Sequence, residues 1–271
     1  MFQHSIFSLP FIFIAMIVAA DGWFGWKLLV MGALAAVSAR NFAMGLNRYA
    51  DRDIDAKNPR TANRPSVDGR ISSTAILAFT LLNAVIFILI AYFINDLAFY
   101  LAVPILAVLG SYSYFKRFSA LAHIILGVSL GLAPIAGVVA VQASIPLWSL
   151  FLSGGVLFWV AGFDLLYSLQ DIDFDKEEGL HSIPSRFGAK NTFKIAQVFH
   201  LFTIGLWFLF VKEADLGLIA YGAVIFSALM LSYEHYLVNK DFSKIDKAFF
   251  TVNGYLGIIF IILIIIEKVS V

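Results

Sequence analysis

Nine apolar runs occupy most of the chain, and long apolar runs are the feature that most restricts how it can fold. A helix needs about 20 apolar residues to cross the hydrocarbon core of a bilayer. The runs lie near residues 5–20, 27–50, 71–94, 96–114, 119–142, 146–168, 191–212, 215–238 and 248–267. The sequence therefore predicts an all-α, polytopic membrane protein with nine transmembrane helices, and we treat residues 1–271 as one domain.

Composition excludes several other classes of protein. The chain is 61% hydrophobic and 14% charged, with a net charge of +1 and no cysteine. Ordinary soluble domains carry roughly 25% charged residues, so a water-soluble enzyme and a disordered chain are excluded. The near-zero net charge argues against a nucleic-acid partner. The first run has no Lys or Arg before it and no clear cleavage site after it, so we expect a retained helix rather than a signal peptide.

Basic residues mark one side of the predicted membrane protein. Most of the 19 Lys and Arg residues fall in the second, fourth, sixth and eighth connections between spans. The positive-inside rule then places those connections and the N-terminus in the cytoplasm, with the chain in the inner or plasma membrane. Two of these connections, 51–70 and 169–190, are long and polar. Long polar loops commonly carry function, so these are the candidate site loops.

The first site loop begins with an acidic stripe. Asn47, Asp51 and Asp55 are spaced i, i+4, i+8. Each step of four drifts by only about 40° around an α-helix, so the three side chains share one face. Asp53 is predicted to point away from that face.

The second site loop begins with the same spacing. Tyr167, Asp171 and Asp175 form the second stripe, and Asp164 lies nearly two turns earlier on the same face, inside a span. Asp173 is predicted to point away. One isolated acid at a helix end is best explained as a solvated terminus. Two matched stripes favour a site, and an acid inside a span favours a functional or paired role.

The chemistry of the stripes points to a metal and an anion. Carboxylate and amide oxygens without His or Cys suit Mg²⁺, which retains water and phosphate oxygens as further ligands. The adjoining loops supply bases that suit phosphate. The candidates are Arg64, Lys116, Arg117 and Arg186. The sequence therefore predicts a Mg²⁺–diphosphate site, although Lys116 and Arg117 also suit simple membrane anchors.

These residues resemble the motifs of a known family. The segments Asn47-xxx-Asp51-xxx-Asp55 and Tyr167-xxx-Asp171-xxx-Asp175 are similar to the two aspartate motifs of the UbiA superfamily of intramembrane prenyltransferases. The run 51–65, with Lys116-Arg117-Phe118, resembles its 4-hydroxybenzoate polyprenyltransferase branch. The run 167–188 resembles the subgroup linked to the futalosine route to menaquinone. The resemblance covers nearly the whole chain.

The resemblance implies a helical bundle around a central cavity that opens sideways to lipid. It implies transfer of a polyprenyl group from prenyl diphosphate to an aromatic acid, with two Mg²⁺ ions bridging the diphosphate. Asp51, Asp55, Asp171 and Asp175 would act in catalysis, and Asn47 would join them as a metal ligand. The acceptor stays open between 4-hydroxybenzoate, as in ubiquinone synthesis, and a hydroxynaphthoate, as in menaquinone synthesis.

The acceptor site is predicted to include Arg40, Asp164 and Tyr167. Arg40 lies seven residues before Asn47, on the same face and about two turns deeper. The resemblance suggests that Arg40 binds the acceptor's carboxylate, and the alternative is an ion pair with Asp164. The five histidines show no metal-ligand spacing, and all but His181 are expected to be structural.

Two other functions use similar residues. A divalent-cation transporter would carry acids near the midplane, whereas these cluster on one face. A phosphatidyl-type transferase would use one compact acidic motif, whereas this chain has two distant ones. Membrane lipid is the expected surrounding, and no protein partner is evident.

Overall fold

The computed structural model describes residues 9–241, 245 and 248–270, and these residues fold as helices with no strand. The helices are α1 (Leu9–Ala19), α2 (Trp26–Ala50), α3 (Arg52–Lys57), α4 (Ser73–Ile94), α5 (Asp96–Phe115), α6 (Ala122–Gln142), α7 (Leu147–Tyr167), α8 (Ile172–Glu177), α9 (Ile183–Glu213), α10 (Leu218–Lys240) and α11 (Asn253–Ser270). A 3₁₀ turn, Ser168–Asp171, precedes α8, and a π-helical turn, Ala248–Val252, precedes α11. The predicted all-α membrane bundle is confirmed.

Eight helical segments in the described part of the chain are long and apolar enough to cross a bilayer, against nine predicted. The difference lies in α1, whose described part has 11 residues. Residues 5–8 of the predicted first span lie outside the described residues. Phe11, Ile14 and Met16 of α1 are fully buried, because this helix packs against α6 and α11. The apolar character of α1 therefore serves packing inside the bundle.

The third and fourth predicted spans are separate helices. Asn95 lies between α4 and α5 with extended backbone, and its side-chain oxygen accepts a hydrogen bond of 2.8 Å from the backbone N–H of Ala98. Its amide nitrogen donates to the backbone oxygen of Val139 at 2.7 Å. Asn95 therefore caps α5 and ties the turn to α6.

Helix α9 begins at Ile183, eight residues before the predicted start of the seventh span at 191. The Ser182 side chain accepts from the backbone N–H of Ser185 at 3.2 Å, and the Ser185 hydroxyl accepts from the Ser182 N–H at 3.0 Å. This reciprocal cap starts the helix early. Gly188 then has φ of 75°, which kinks α9 before its membrane segment. The second site loop is therefore shorter than 169–190.

Glycines let α7 pack closely on both sides. A Cβ atom at Gly127 of α6 would overlap the backbone oxygen of Leu157 in α7. A Cβ atom at Gly155 of α7 would overlap the indole of Trp207 in α9. Because neither position has room for a side chain, α7 is held tightly between α6 and α9.

The main core is aromatic. Phe11, Trp159, Trp207 and Phe260 are fully buried, and their ring centroids lie 5.0–6.0 Å apart. Apolar side chains also cover the outer surface of the spans, where hydrocarbon rather than water suits them. Exposed examples are Leu82, Phe93, Val103, Leu201, Ile225 and Leu229. The protein is therefore an integral, multi-pass membrane protein.

Candidate active site

Three interhelical segments meet at one end of the bundle: those after α2, α5 and α7. Lys57 Nζ lies 2.5 Å from Glu178 Oε2, which joins the first segment to the third. The backbone N–H of His181 donates to the backbone oxygen of Lys116 at 2.9 Å, which joins the third segment to the second. The two candidate site loops, far apart in sequence, are therefore neighbours on one face of the protein.

The first acidic stripe keeps helical spacing although α2 ends at Ala50. The backbone N–H of Asp51 donates to the Asn47 oxygen at 2.9 Å, and that of Asp55 donates to the Asp51 oxygen at 2.8 Å. Asp51 and Asp55 are 3% and 5% exposed. Asp53 is exposed and pairs with Arg117 instead. The orientation agrees with the helical phase expected from the sequence.

Asp51 is the most enclosed member of the stripe. Its Oδ2 accepts from the Asn47 amide at 2.7 Å and lies 2.8 Å from Lys116 Nζ. Its Oδ1 is buried without a hydrogen-bond partner in the part of the chain that the structure describes. Burial raises the pKa of the Asp51 carboxyl above its ordinary value, although Lys116 opposes that shift. A buried carboxylate oxygen without a partner is a ready ligand for a hard cation.

Asp55 is held by the first site loop. Arg64 Nη1 lies 2.6 Å from Asp55 Oδ2, and Arg48 Nη1 lies 3.6 Å from the same oxygen. The Thr61 hydroxyl donates to the Asp55 backbone oxygen at 2.9 Å. These contacts fold the loop back over the stripe. Arg48 was not among the predicted site residues.

The second stripe does not lie on one continuous α-helix, and that part of the prediction is wrong. Helix α7 ends at Tyr167, the 3₁₀ turn follows, and α8 begins at Ile172. The Ser168 hydroxyl donates to the backbone oxygen of Leu165 at 2.9 Å, which satisfies a carbonyl at the end of α7. Asp171 and Asp175 are half-buried, whereas Asp173 is exposed.

Arg60 joins the first site loop to the second stripe. Its Nη2 lies 2.5 Å from Asp171 Oδ2, its Nε donates to Asp171 Oδ1 at 3.2 Å, and its Nη1 donates to the Tyr167 hydroxyl at 3.1 Å. The guanidinium carbon also lies 5.6 Å from the centre of the Tyr167 ring. Arg60 was not among the predicted site residues. Its position within the motif-like run 51–65 was the sequence feature that could have identified it.

Basic side chains contact the acids of the first stripe. Lys116 and Arg64, which were predicted to bind phosphate, contact Asp51 and Asp55. Among the residues that the structure describes, no three His, Asp or Glu side chains are grouped to hold a metal ion. The donors still fit a hard divalent cation, because they are amide and carboxylate oxygens and Asp51 Oδ1 is unpartnered.

Two of the predicted phosphate ligands lie elsewhere. Arg117 turns to Asp53, with its Nη2 2.6 Å from Asp53 Oδ1. Arg186 is exposed, and its guanidinium carbon lies 5.5 Å from the centre of the Phe187 ring. Neither residue lines the cavity described next. The structure therefore directs Arg117 to Asp53, next to the first stripe, and leaves Arg186 exposed.

A cavity of about 420 Å³ runs from the polar loops into the bundle. Helices α1, α2, α4, α5, α6 and α7 enclose it. Polar residues line one part of it: Arg40, Asn47, Arg48, Arg60, Arg64, Tyr112, Asp164 and Tyr167. Apolar and small residues line the rest, including Met16, Ala36, Leu101, Ile105 and Ala136. The cavity therefore suits a molecule with a charged head and a hydrocarbon tail.

Arg40 and Asp164 both line this cavity without pairing to each other. Arg40 makes no ion pair with any described residue. Asp164 Oδ2 lies 2.7 Å from His123 Nδ1. The Arg40–Asp164 pair that the sequence left open is therefore not formed, and His123 takes the place of Arg40.

The chain is similar in sequence to one family of membrane enzymes. The model of the UbiA prenyltransferase family matches residues 8–262. A 4-hydroxybenzoate octaprenyltransferase of Burkholderia ambifaria (strain MC40-6) is 32% identical over 246 residues, which is 90% of this chain and 83% of that protein.

Solved structures share the fold. The apo structure of a UbiA homolog from Aeropyrum pernix K1 is 31% identical, with a TM-score of 0.89 over 98% of both chains. A UbiA homolog from Archaeoglobus fulgidus bound to DMAPP and Mg²⁺ is 21% identical, with a TM-score of 0.75 over 98% of this chain and 96% of that one. With a family model matched over residues 8–262 and a relative 32% identical over 90% of its length, this chain belongs to the UbiA prenyltransferase family.

Proposed function

We propose that the protein transfers a polyprenyl group from a prenyl diphosphate to a hydroxylated aromatic acid in quinone biosynthesis. The observation that carries the proposal is the cavity, which has four arginines and one carboxylate, Asp164, at its polar part and an apolar interior. A prenyl diphosphate has the same division into an anionic head and a hydrocarbon tail. The names of the Burkholderia relatives support 4-hydroxybenzoate as the acceptor, and the run 167–188 keeps a hydroxynaphthoate as the second choice.

The acidic stripes would hold the divalent metal that the reaction uses. Asn47, Asp51, Asp55, Asp171 and Asp175 supply the oxygen donors, and we propose two Mg²⁺ ions. The Archaeoglobus relative bound to DMAPP and Mg²⁺ supports the metal. Bound Mg²⁺ supplies positive charge to the diphosphate, which makes it a better leaving group.

The loop bases would change partners when substrate binds. Arg60, Arg64 and Lys116 pair with carboxylates in this structure. With a metal ion held by the carboxylates, the same bases would be available to the phosphate oxygens. Arg60 and Arg64 line the cavity, and a guanidinium binds two phosphate oxygens at once. These bases stabilise the charge that builds up as the carbon–oxygen bond breaks.

The cavity walls protect the allylic cation that remains. Leu101, Ile105 and Phe163 line the interior and offer no nucleophile. Excluding water keeps the cation available to the aromatic ring. The prenyl tail lies along this apolar part, and the ring carbon of the acceptor attacks the cation at C1.

Arg40 is the proposed anchor for the carboxylate of the acceptor. It lines the cavity and makes no ion pair with a described residue, so its guanidinium is available to a substrate. Asp164 and Tyr167 line the same polar part. The distribution of basic residues supports a cytoplasmic position for the site loops, with membrane lipid around the bundle.

The test is turnover by the purified protein. Protein in detergent receives Mg²⁺, geranyl diphosphate and either 4-hydroxybenzoate or a hydroxynaphthoate, and product is identified by mass spectrometry. We expect a prenylated acid and one diphosphate per product with one of the two acceptors. Hydrolysis of the diphosphate without prenylation of either acid would contradict the proposal.

A further inference from the structure

His123 and Asp164 form a pair beside the cavity. His123 is the second residue of α6, and Asp164 lies three residues before the end of α7. Their contact, 2.7 Å between His123 Nδ1 and Asp164 Oδ2, joins helices that are 41 residues apart at these positions. His123 is 6% exposed, and its Nε2 is buried with no hydrogen-bond partner among residues 9–241, 245 and 248–270.

Asp164 differs from the other acids of the site. Among the described residues, it is the one carboxylate that lines the cavity. Asp51, Asp55 and Asp171 are each paired with Lys or Arg. Asp164 instead meets a histidine, and its side chain keeps 23% exposure. It is therefore placed toward a substrate in the cavity rather than toward the loops.

The pair fixes the roles of the two groups. A carboxylate can only accept, so His123 Nδ1–H donates to Asp164 Oδ2. This bond orients the carboxylate and leaves Oδ1 available for another partner. Glycine packing at Gly127 keeps α6 and α7 in close contact, which maintains the distance between the two side chains.

We propose that Asp164 is the base that removes the ring proton of the acceptor, and that His123 is its positioning residue. The proposal rests on the proposed function, because that reaction leaves a proton to be removed. Attack by the ring carbon forms the new carbon–carbon bond and leaves a cationic ring that still carries its hydrogen. Asp164 takes that proton, the carbon–hydrogen electrons restore the aromatic ring, and the carboxyl later releases the proton to solvent.

Electrostatics support the same assignment. A cationic ring next to a carboxylate is stabilised before the proton moves, and this stabilisation is large in a cavity without bulk water. Arg40, Tyr112 and Asp164 all line the polar part of the cavity. An acceptor held at Arg40 by its carboxylate therefore lies in the same polar part of the cavity as the proposed base.

The test uses 4-hydroxybenzoate that carries deuterium at both carbons ortho to the hydroxyl. When ionisation of the diphosphate limits the rate, removal of the ring proton is fast and the wild-type protein shows no primary isotope effect on kcat. Loss of a general base slows proton transfer by about 10²–10⁴. In Asp164→Asn we therefore expect kcat to fall by that order and a primary isotope effect to emerge.

His123 variants separate positioning from structure. The Asn side-chain nitrogen occupies nearly the position of His Nδ1, so His123→Asn retains the donor and should recover most of the activity that His123→Ala loses. His123→Ala should lower kcat, show the isotope effect and leave the KM for geranyl diphosphate unchanged. Thermal unfolding of each variant in detergent checks that it folds.

Several outcomes would overturn the assignment. Asp164→Asn with wild-type kcat removes Asp164 as the base. A lower kcat without any isotope effect, in protein that unfolds at the wild-type temperature, means that Asp164 acts before the proton transfer. Turnover of the undeuterated acid by the wild-type protein, measured alongside, tests the proposed function alone. If the wild-type protein is active and only the variants depart from the expected results, the roles assigned to His123 and Asp164 are wrong and the proposed function stands.

Discussion

Replacing Asp51 and Asp53 one at a time with Asn tests whether the helical phase defines the site. The two residues have the same charge and lie two positions apart. Asp51 is 3% exposed, and its Oδ1 is buried without a hydrogen-bond partner among the described residues. The Asp53 side chain is 64% exposed and pairs with Arg117. Asn preserves size and removes charge, so the pair of variants compares position alone.

The structure gives different magnitudes for the two changes. Removing one group that stabilises transition-state charge costs about 10²–10³ in kcat, which is the loss expected for Asp51→Asn. An exposed ion pair such as Asp53–Arg117 contributes about 0–1 kcal/mol, so Asp53→Asn should change the rate by no more than about fivefold. Lys116 loses its partner in Asp51→Asn, but its side chain is 30% exposed and solvent limits the effect on folding.

Initial rates of prenylated product, with Mg²⁺ and both substrates saturating, measure the difference. Circular dichroism and thermal unfolding in detergent confirm that both variants fold. We expect Asp51→Asn to be at least tenfold slower than Asp53→Asn. Equal losses in the two folded variants would refute the helical-phase reasoning, and a nearly active Asp51→Asn would remove the first stripe from the catalytic site.

Three further predictions follow from other contacts. Chelation by EDTA should abolish turnover but leave the unfolding temperature unchanged, because ion pairs such as Arg60–Asp171 hold the loops without metal; loop unfolding measured by hydrogen exchange would contradict this. Arg40→Ala should raise the KM for the aromatic acid about tenfold or more, the value of a charged hydrogen bond, without changing the unfolding temperature; an unchanged KM would exclude Arg40 from the acceptor site. Gly155→Ala should destabilise the fold by about 1–3 kcal/mol through overlap with Trp207, whereas Gly222→Ala, which has open space around it, should not; equal unfolding temperatures would contradict the close packing of α7.

Local patterns predicted the parts of the structure that depend on neighbouring residues. The apolar runs predicted where the long helices lie, because a helix can cross the bilayer only if its own residues are largely apolar. The spacing of Asn47, Asp51 and Asp55 predicted a shared face, since helical phase depends only on nearby residues. Local hydrogen bonding also explains two boundary errors: the cap at Ser182 starts α9 early, and the 3₁₀ turn after Tyr167 interrupts the second stripe.

Partners distant in sequence were not predicted. Arg60 pairs with Asp171, 111 residues later, and His123 pairs with Asp164, 41 residues later. Helical periodicity carries no information about which loops and helices meet in space. The helix α1 was predicted, but its burial inside the bundle was not, because hydropathy does not distinguish a helix buried in protein from one that faces lipid.

The close packing of α7 fixes its position relative to the two helices beside it. Gly127 and Gly155 leave no room between α7 and its two neighbours, so α7 cannot shift easily against α6 or α9. Helices α2, α4 and α5 form the opposite wall of the cavity around a smaller buried cluster that includes Phe87, Ala102 and Leu106. Because Asp164 and Tyr167 both stand on α7, the close packing of that helix keeps their positions in the cavity constant relative to α6 and α9.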